Sequence, residues 1–140
     1  MEVNPIRETF DPDAHILVVD DNATIRTLLV EVLKKLGFHN IVEEFNGQQA
    51  LARLQEKTCP FEIVFSDWRM SGLTGLGLLV RMRSDPGLKA ISFIMITGTH
   101  DDEYVKMATK AGVDGYLLKP FTIADVKEKL SAAFQKALKK

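Results

Sequence analysis

Three acidic residues, a hydroxyl and a lysine stand at places where alternating elements would bring them together. Asp20 and Asp21 follow one short apolar run, Asp67 follows another, and Thr97 and Lys119 close two more. Three carboxylates gathered in a partly desolvated site repel one another, and either a raised pKa or a bound cation relieves the repulsion. A few hard oxygen ligands left open to water suit Mg²⁺, which keeps several waters and takes one or two carboxylates. A carboxylate is also a nucleophile toward phosphorus. It can form an aspartyl phosphate, in a transfer that depends on positioning and charge neutralisation. In that chemistry the Lys119 ammonium would face one phosphoryl oxygen, the Thr97 hydroxyl or a loop N–H a second, and the cation the remainder. Each residue alone has a plainer reading: Asp20–Asp21 could cap a helix, Asp67 could sit in an ordinary loop, Thr97 could end a strand and Lys119–Pro120 could be a surface turn. Their coincidence at four strand ends favours chemistry.

The elements that must position them are written as short apolar runs separated by stretches of helical period. Residues 15–20, 39–45, 61–66, 91–97 and 113–118 read as strands. Between them Ile25, Leu28, Leu29, Val32, Leu33 and Leu36 recur at spacings of three and four, as do Ala50, Leu51 and Leu54, then Leu76, Leu79 and Met82. Asp101 to Ala111 is a fourth helix stopped by Gly112. A fifth helix opens on the Thr122/Asp125 capping pattern and carries Val126, Leu130, Phe134 and Leu138 on one face. Five βα units with near-continuous apolar strands predict a parallel sheet covered on both faces. In such sheets ligands bind beyond the carboxyl ends of the strands, the rim shared by Asp20, Asp21, Asp67, Thr97 and Lys119.

Length and composition set limits around this core. The 140 residues, 46% hydrophobic and 26% charged, fit one globular domain, with residues 1–13 as a polar extension and 14–140 as the domain. A net charge of -1 offers no broad attraction for nucleic acid or an anionic membrane, and no apolar run reaches the length of a membrane span. The start lacks the pattern of a secretory signal, so a cytoplasmic protein is expected. Cys59 is the single cysteine and excludes an internal disulfide. His15, His39 and His100 are dispersed over different elements, which speaks against a histidine metal cluster or a catalytic triad. The GLTGLG segment at 72–77 lacks the Lys-Ser/Thr ending of a phosphate-binding loop.

The segments ILVVDDNATIR, FSDWRM, ITG and DGYLLKPF resemble the bacterial two-component response-regulator receiver domain, in its CheY-like single-domain type, over residues 14–138. The resemblance implies a (βα)5 doubly wound, flavodoxin-like five-stranded parallel sheet in the order 2-1-3-4-5. It implies that Asp67 accepts a phosphoryl group from a sensor histidine kinase or phosphotransfer protein. It further implies that Asp21, Asp67 and the Arg69 backbone carbonyl bind Mg²⁺, for which Mn²⁺ could substitute, while Asp20 acts through water. Thr97 and Lys119 would contact the phosphoryl group, and Tyr116 would turn inward as Thr97 moves, changing the face offered to a downstream effector protein. Arg69 and Thr99 hold the two positions that most affect phosphate lifetime in the family. The expected molecule is a signalling switch without a DNA-binding domain, a monomer or a weak phosphorylation-dependent dimer.

Departures from the family pattern are Ser71, Thr74 and Gly98 around the site, and the acidic run Asp101, Asp102 and Glu103, which weakens the case for a flagellar-motor partner. Two other classes compete. A haloacid-dehalogenase-like phosphatase shares the Asp nucleophile, Mg²⁺, hydroxyl and Lys, but needs an acid two residues after the nucleophile, where Arg69 stands. A flavin carrier shares the sheet order, but an acidic rim repels a flavin phosphate.

Overall fold

The computed structural model describes residues 11–98 and 101–138, the last three of these by backbone alone. Ten elements alternate: β1 His15–Val19, α1 Ala23–Lys35, β2 Asn40–Glu44, α2 Gly47–Leu54, β3 Phe61–Asp67, α3 Gly75–Arg83, β4 Ser92–Thr97, α4 Asp102–Ala111, β5 Gly115–Leu118 and α5 Ile123–Leu138. The strands form one parallel sheet in the order β2-β1-β3-β4-β5, as the resemblance implied.

Side chains along a strand point alternately to its two faces, and here both faces are apolar. Ile16, Val18, Ile63, Phe65, Ile94, Ile96 and Leu117 join one core with α1 and α5 residues such as Leu29, Leu33, Val126 and Leu130. Leu17, Val19, Val64, Phe93 and Met95 join the other with Leu51, Leu78, Met82 and Ala108 from α2, α3 and α4. This two-sided burial is why the strands read as unbroken apolar runs.

Several boundaries differ from those the sequence suggests. β2 stops at Glu44, which is buried and takes Arg53 at 2.7 Å, while Phe45 lies beyond it and is exposed. β3 runs on to include Asp67, and β5 starts only at Gly115, because the Asp114 carboxylate turns inward to accept from the Phe93 N–H and from Arg83. Leu28, on the predicted apolar face of α1, is exposed, and Val30 is buried instead. The helix starts are well capped: Asn22, Asn46, Thr74 and Asp101 each accept from a first-turn N–H, and Thr122 and Asp125 exchange hydrogen bonds reciprocally at the start of α5. The structure therefore corrects the plainer reading of the acidic pair, since Asn22, not Asp20 or Asp21, caps α1.

Candidate functional site

Hydrogen bonds between neighbouring chain segments continue past the strand ends and set the rim. The Asp20 N–H donates to the Glu44 carbonyl at 3.1 Å, the Trp68 N–H to Ile96 at 3.1 Å and the Lys119 N–H to Thr97 at 2.9 Å. Successive strands thereby deliver Asp20, Asp67, Thr97 and Lys119 to one edge. The Lys119–Pro120 peptide bond is cis.

Within this edge the Lys119 ammonium donates to Asp67 Oδ1 at 3.1 Å and lies 3.5 Å from Asp20 Oδ2. Asp20, Asp67 and Thr97 are buried, whereas Asp21 is exposed. One carboxylate oxygen from each of Asp20, Asp21 and Asp67 lies within 4.8 Å of the other two. Burial raises the pKa of Asp20, an effect the Asn22 N–H and Lys119 oppose. Burial also raises that of Asp67, and the Asp20 charge adds to it against the pull of Lys119.

Asp20 Oδ1 accepts from the Asn22 N–H at 2.9 Å, but Asp20 Oδ2 is buried without a hydrogen-bond donor. The Lys119 ammonium pairs with two of the three carboxylates, Asp67 and Asp20. An orphaned buried oxygen and an excess of negative charge, all on hard ligands, fit Mg²⁺.

A cleft of about 390 Å³ opens beside Asp67, lined also by Trp68, Arg69, Thr97, Gly98 and Lys119. The predicted residues Asp67, Thr97, Lys119 and Arg69 therefore share one cavity, with Asp20 and Asp21 against Asp67 at its edge. A Cβ on Gly98 would meet nothing within 4 Å, so this departure leaves open space at the cleft wall. Thr74 caps α3, accepting from the Gly77 N–H at 3.1 Å, so the loop after Asp67 ends on a defined helix start. Ser71 is exposed in that loop. Thr99 and His100 lie outside the described residues. Tyr116 stands on β5, half-buried among the second core, and its hydroxyl reaches the backbone carbonyls of Tyr104 at 3.0 Å and Val105 at 3.2 Å on α4. Burial raises its pKa.

Two residues near the site were not singled out from the sequence. Arg26 donates to the Asp20 carbonyl at 2.7 Å, pairs with Glu43 at 3.1 Å and stacks over Phe45, which fixes the backbone of the acidic pair. Its place one turn into α1, four residues after the Asn22 cap, was the available hint. Tyr104 packs its ring edge-to-face with Trp68 at 4.9 Å and lies 6.0 Å from the Arg69 guanidinium. A single aromatic in a surface helix gives no such hint.

Comparison with known proteins agrees with this fold. The family model for the response regulator receiver domain matches residues 16–131. The chain is similar to the chemotaxis protein CheY-3 of Vibrio cholerae, at 42% identity over 121 residues covering 86% of this chain and 92% of that one. It is similar also to the chemotaxis protein CheY of Pseudomonas aeruginosa, at 38% identity over 86% of this chain and 96% of that one. The solved structure of Vibrio cholerae chemotaxis protein CheY4 superposes with a TM-score of 0.79 at 26% identity, covering 86% of this chain and 98% of that one.

Proposed function

Because the chain belongs to the response regulator receiver domain family, we propose that it works as a stand-alone two-component switch, phosphorylated on Asp67 in a Mg²⁺-dependent reaction. The observation that carries this reading is the Lys119 ammonium 3.1 Å from Asp67 Oδ1 inside a cluster of three carboxylates. One rim thus brings together the carboxylate, the ammonium and the group of acidic oxygens that this reaction would use.

In the forward step an Asp67 carboxylate oxygen attacks the phosphorus of a phosphohistidine on a histidine kinase or phosphotransfer protein. The phosphorus–nitrogen bond breaks, and its electron pair leaves on the imidazole. Lys119, already against the carboxylate, follows the negative charge onto a phosphoryl oxygen, and Thr97 faces the same cleft as a hydroxyl donor. Asp20, Asp21, Asp67 and the Arg69 carbonyl would hold Mg²⁺, which when bound neutralises phosphoryl charge. In the reverse step water attacks the same phosphorus, the bond to Asp67 breaks with its electron pair on the carboxylate, and phosphate leaves. Arg69 and Thr99 are the residues we assign to tuning that lifetime.

The signal would pass along adjacent strands. Met95 pairs with Tyr116 in the sheet, and Thr97, two residues further on β4, points to the same face. Phosphorylation then shifts an existing equilibrium in the position of Tyr116, and a downstream protein that prefers one form reads it. The CheY relatives make chemotaxis or motility one setting for that partner. Among the described residues no helix is long and apolar enough to cross a membrane. We place the switch in the cytoplasm, with residues 14–140 as the working domain, as a monomer or a dimer stabilised by phosphorylation.

Acetyl phosphate with Mg²⁺ is expected to add one phosphoryl group to the wild type and none to Asp67→Asn, read by intact mass. Label on the variant would overturn the assignment. A phosphatase of the haloacid-dehalogenase class would instead turn over phosphomonoesters, and Arg69 stands where its acid is needed.

A further inference from the structure

α4 is attached to the sheet lightly, for of its ten residues Ala108 alone is buried. Much of the remaining contact at its first turn falls to Tyr104, a half-buried residue that belongs to the second core. Its ring meets the Trp68 indole edge-to-face with centroids 4.9 Å apart, and the Arg69 guanidinium lies 6.0 Å from the same ring. Such aromatic and cation–ring contacts are directional, so a shift of one partner is felt by the other. Its backbone carbonyl accepts from the Tyr116 hydroxyl at 3.0 Å. Tyr104 thus touches the two residues after Asp67 with its side chain and the proposed switch aromatic with its main chain.

The other end of this contact is fixed. The Trp68 N–H donates to the Ile96 carbonyl at 3.1 Å and the Trp68 carbonyl accepts from the Gly75 N–H at 2.9 Å, which clamps the backbone next to Asp67 on both sides. Trp68 and Arg69 line the Asp67 cleft. A change in what occupies that cleft acts on a wall whose backbone is held at Trp68, and α4, with one buried residue, packs against that wall through Tyr104.

We infer that Tyr104 is a positioning residue that couples occupancy of the Asp67 cleft to the placement of α4 and Tyr116, by way of Trp68 and Arg69 and in parallel with Thr97. The inference rests on the switch proposed above. The coupling belongs to the ring and not to its hydroxyl, since the ring makes the contacts to Trp68 and Arg69. Coupling is a difference in free energy between states and must be measured as one.

Tyr104 and Tyr116 are the two tyrosines of the chain, so 3-fluorotyrosine in Tyr104→Phe or Tyr104→Leu reports on Tyr116 alone by fluorine NMR. Beryllofluoride with Mg²⁺ serves as the phosphoryl mimic. The Tyr116 resonance is expected to move in Tyr104→Phe, which keeps the ring, and to move by less than about half as much in Tyr104→Leu. Acetyl phosphate is expected to label Asp67 in both. A shift of full size in Tyr104→Leu, with labelling intact, overturns the coupling and leaves the switch standing. A wild type that takes no label and shows no shift overturns the switch and the coupling with it. Should Tyr104→Leu fail to fold, Trp68→Leu in the Tyr104→Phe background removes the other half of the contact, and the same loss or retention of the shift decides.

Discussion

Asp20 and Asp67 are buried side by side, and Asp20 Oδ2 accepts no hydrogen bond, with the Lys119 ammonium 3.5 Å away. Burial pushes both pKa values above the usual carboxylate value, with the charge of Asp20 adding to the effect on Asp67. A folded-state pKa raised in this way contributes stability at pH values below the unfolded pKa, and that contribution is lost as the pH rises through the folded value. At neutral pH the metal-free protein therefore holds its site at a cost. Replacing either carboxylate by an amide, Asp20→Asn or Asp67→Asn, is expected to raise the thermal midpoint of the metal-free protein at neutral pH by a few degrees, about 1 kcal/mol in a domain of this length. Because protons and Mg²⁺ compete for the same oxygens, Mg²⁺ is expected to stabilise the wild type more at about pH 7.5 than at about pH 5. Melting curves at the two pH values check both, and equal Mg²⁺ stabilisation at each would count against the carboxylate cluster as its site.

The loop between β3 and α3 depends on a residue that has no side chain. A Cβ on Gly75 would collide with the Asp67 carbonyl, and the Gly75 N–H holds the Trp68 carbonyl at 2.9 Å. Gly75→Ala is expected to destabilise the fold by about 1–3 kcal/mol and to slow labelling of Asp67, while Gly98→Ala, with open space around its Cβ, changes stability by less than about 0.5 kcal/mol. Denaturant titration and acetyl phosphate labelling read the two outcomes. Elements of this kind were only partly legible in the sequence. The five strands and the rim residues Asp20, Asp67, Thr97 and Lys119 could be read because polar residues abruptly end apolar runs. The sequence offered Asp20–Asp21 as a cap of α1, whereas Asn22 takes that place, because Asp and Asn can both accept a first-turn N–H and only the backbone decides which one does. The face each strand residue takes was hidden because both faces are apolar. Tyr104 was hidden because its ring contacts join segments far apart in the chain, and Arg26 because its partners are a backbone carbonyl and a residue of β2.

Across the molecule, the proposed chemistry and a stabilising network occupy opposite rims of the sheet. At the rim away from Asp67, Arg83 pairs with the Asp114 carboxylate at 2.8 Å and also donates to the Gly112, Lys89 and Ile91 carbonyls, tying the end of α3 to the starts of β4 and β5. Breaking a buried pair by removing one partner leaves the other charge uncompensated. Arg83→Met is expected to lower stability by about 3 kcal/mol, whereas the folded fraction still takes label at Asp67. Loss of labelling in proportion greater than the loss of folded protein, judged by circular dichroism, would show that the two rims are not separate. Trp68 belongs to the working rim, and it is the chain's single tryptophan. Its indole is buried against Tyr104 and forms part of the cleft wall beside Asp67. The protein consequently carries one tryptophan reporter, built into the wall of the proposed site, whose emission is expected to change when the cleft beside Asp67 is filled, without any added label.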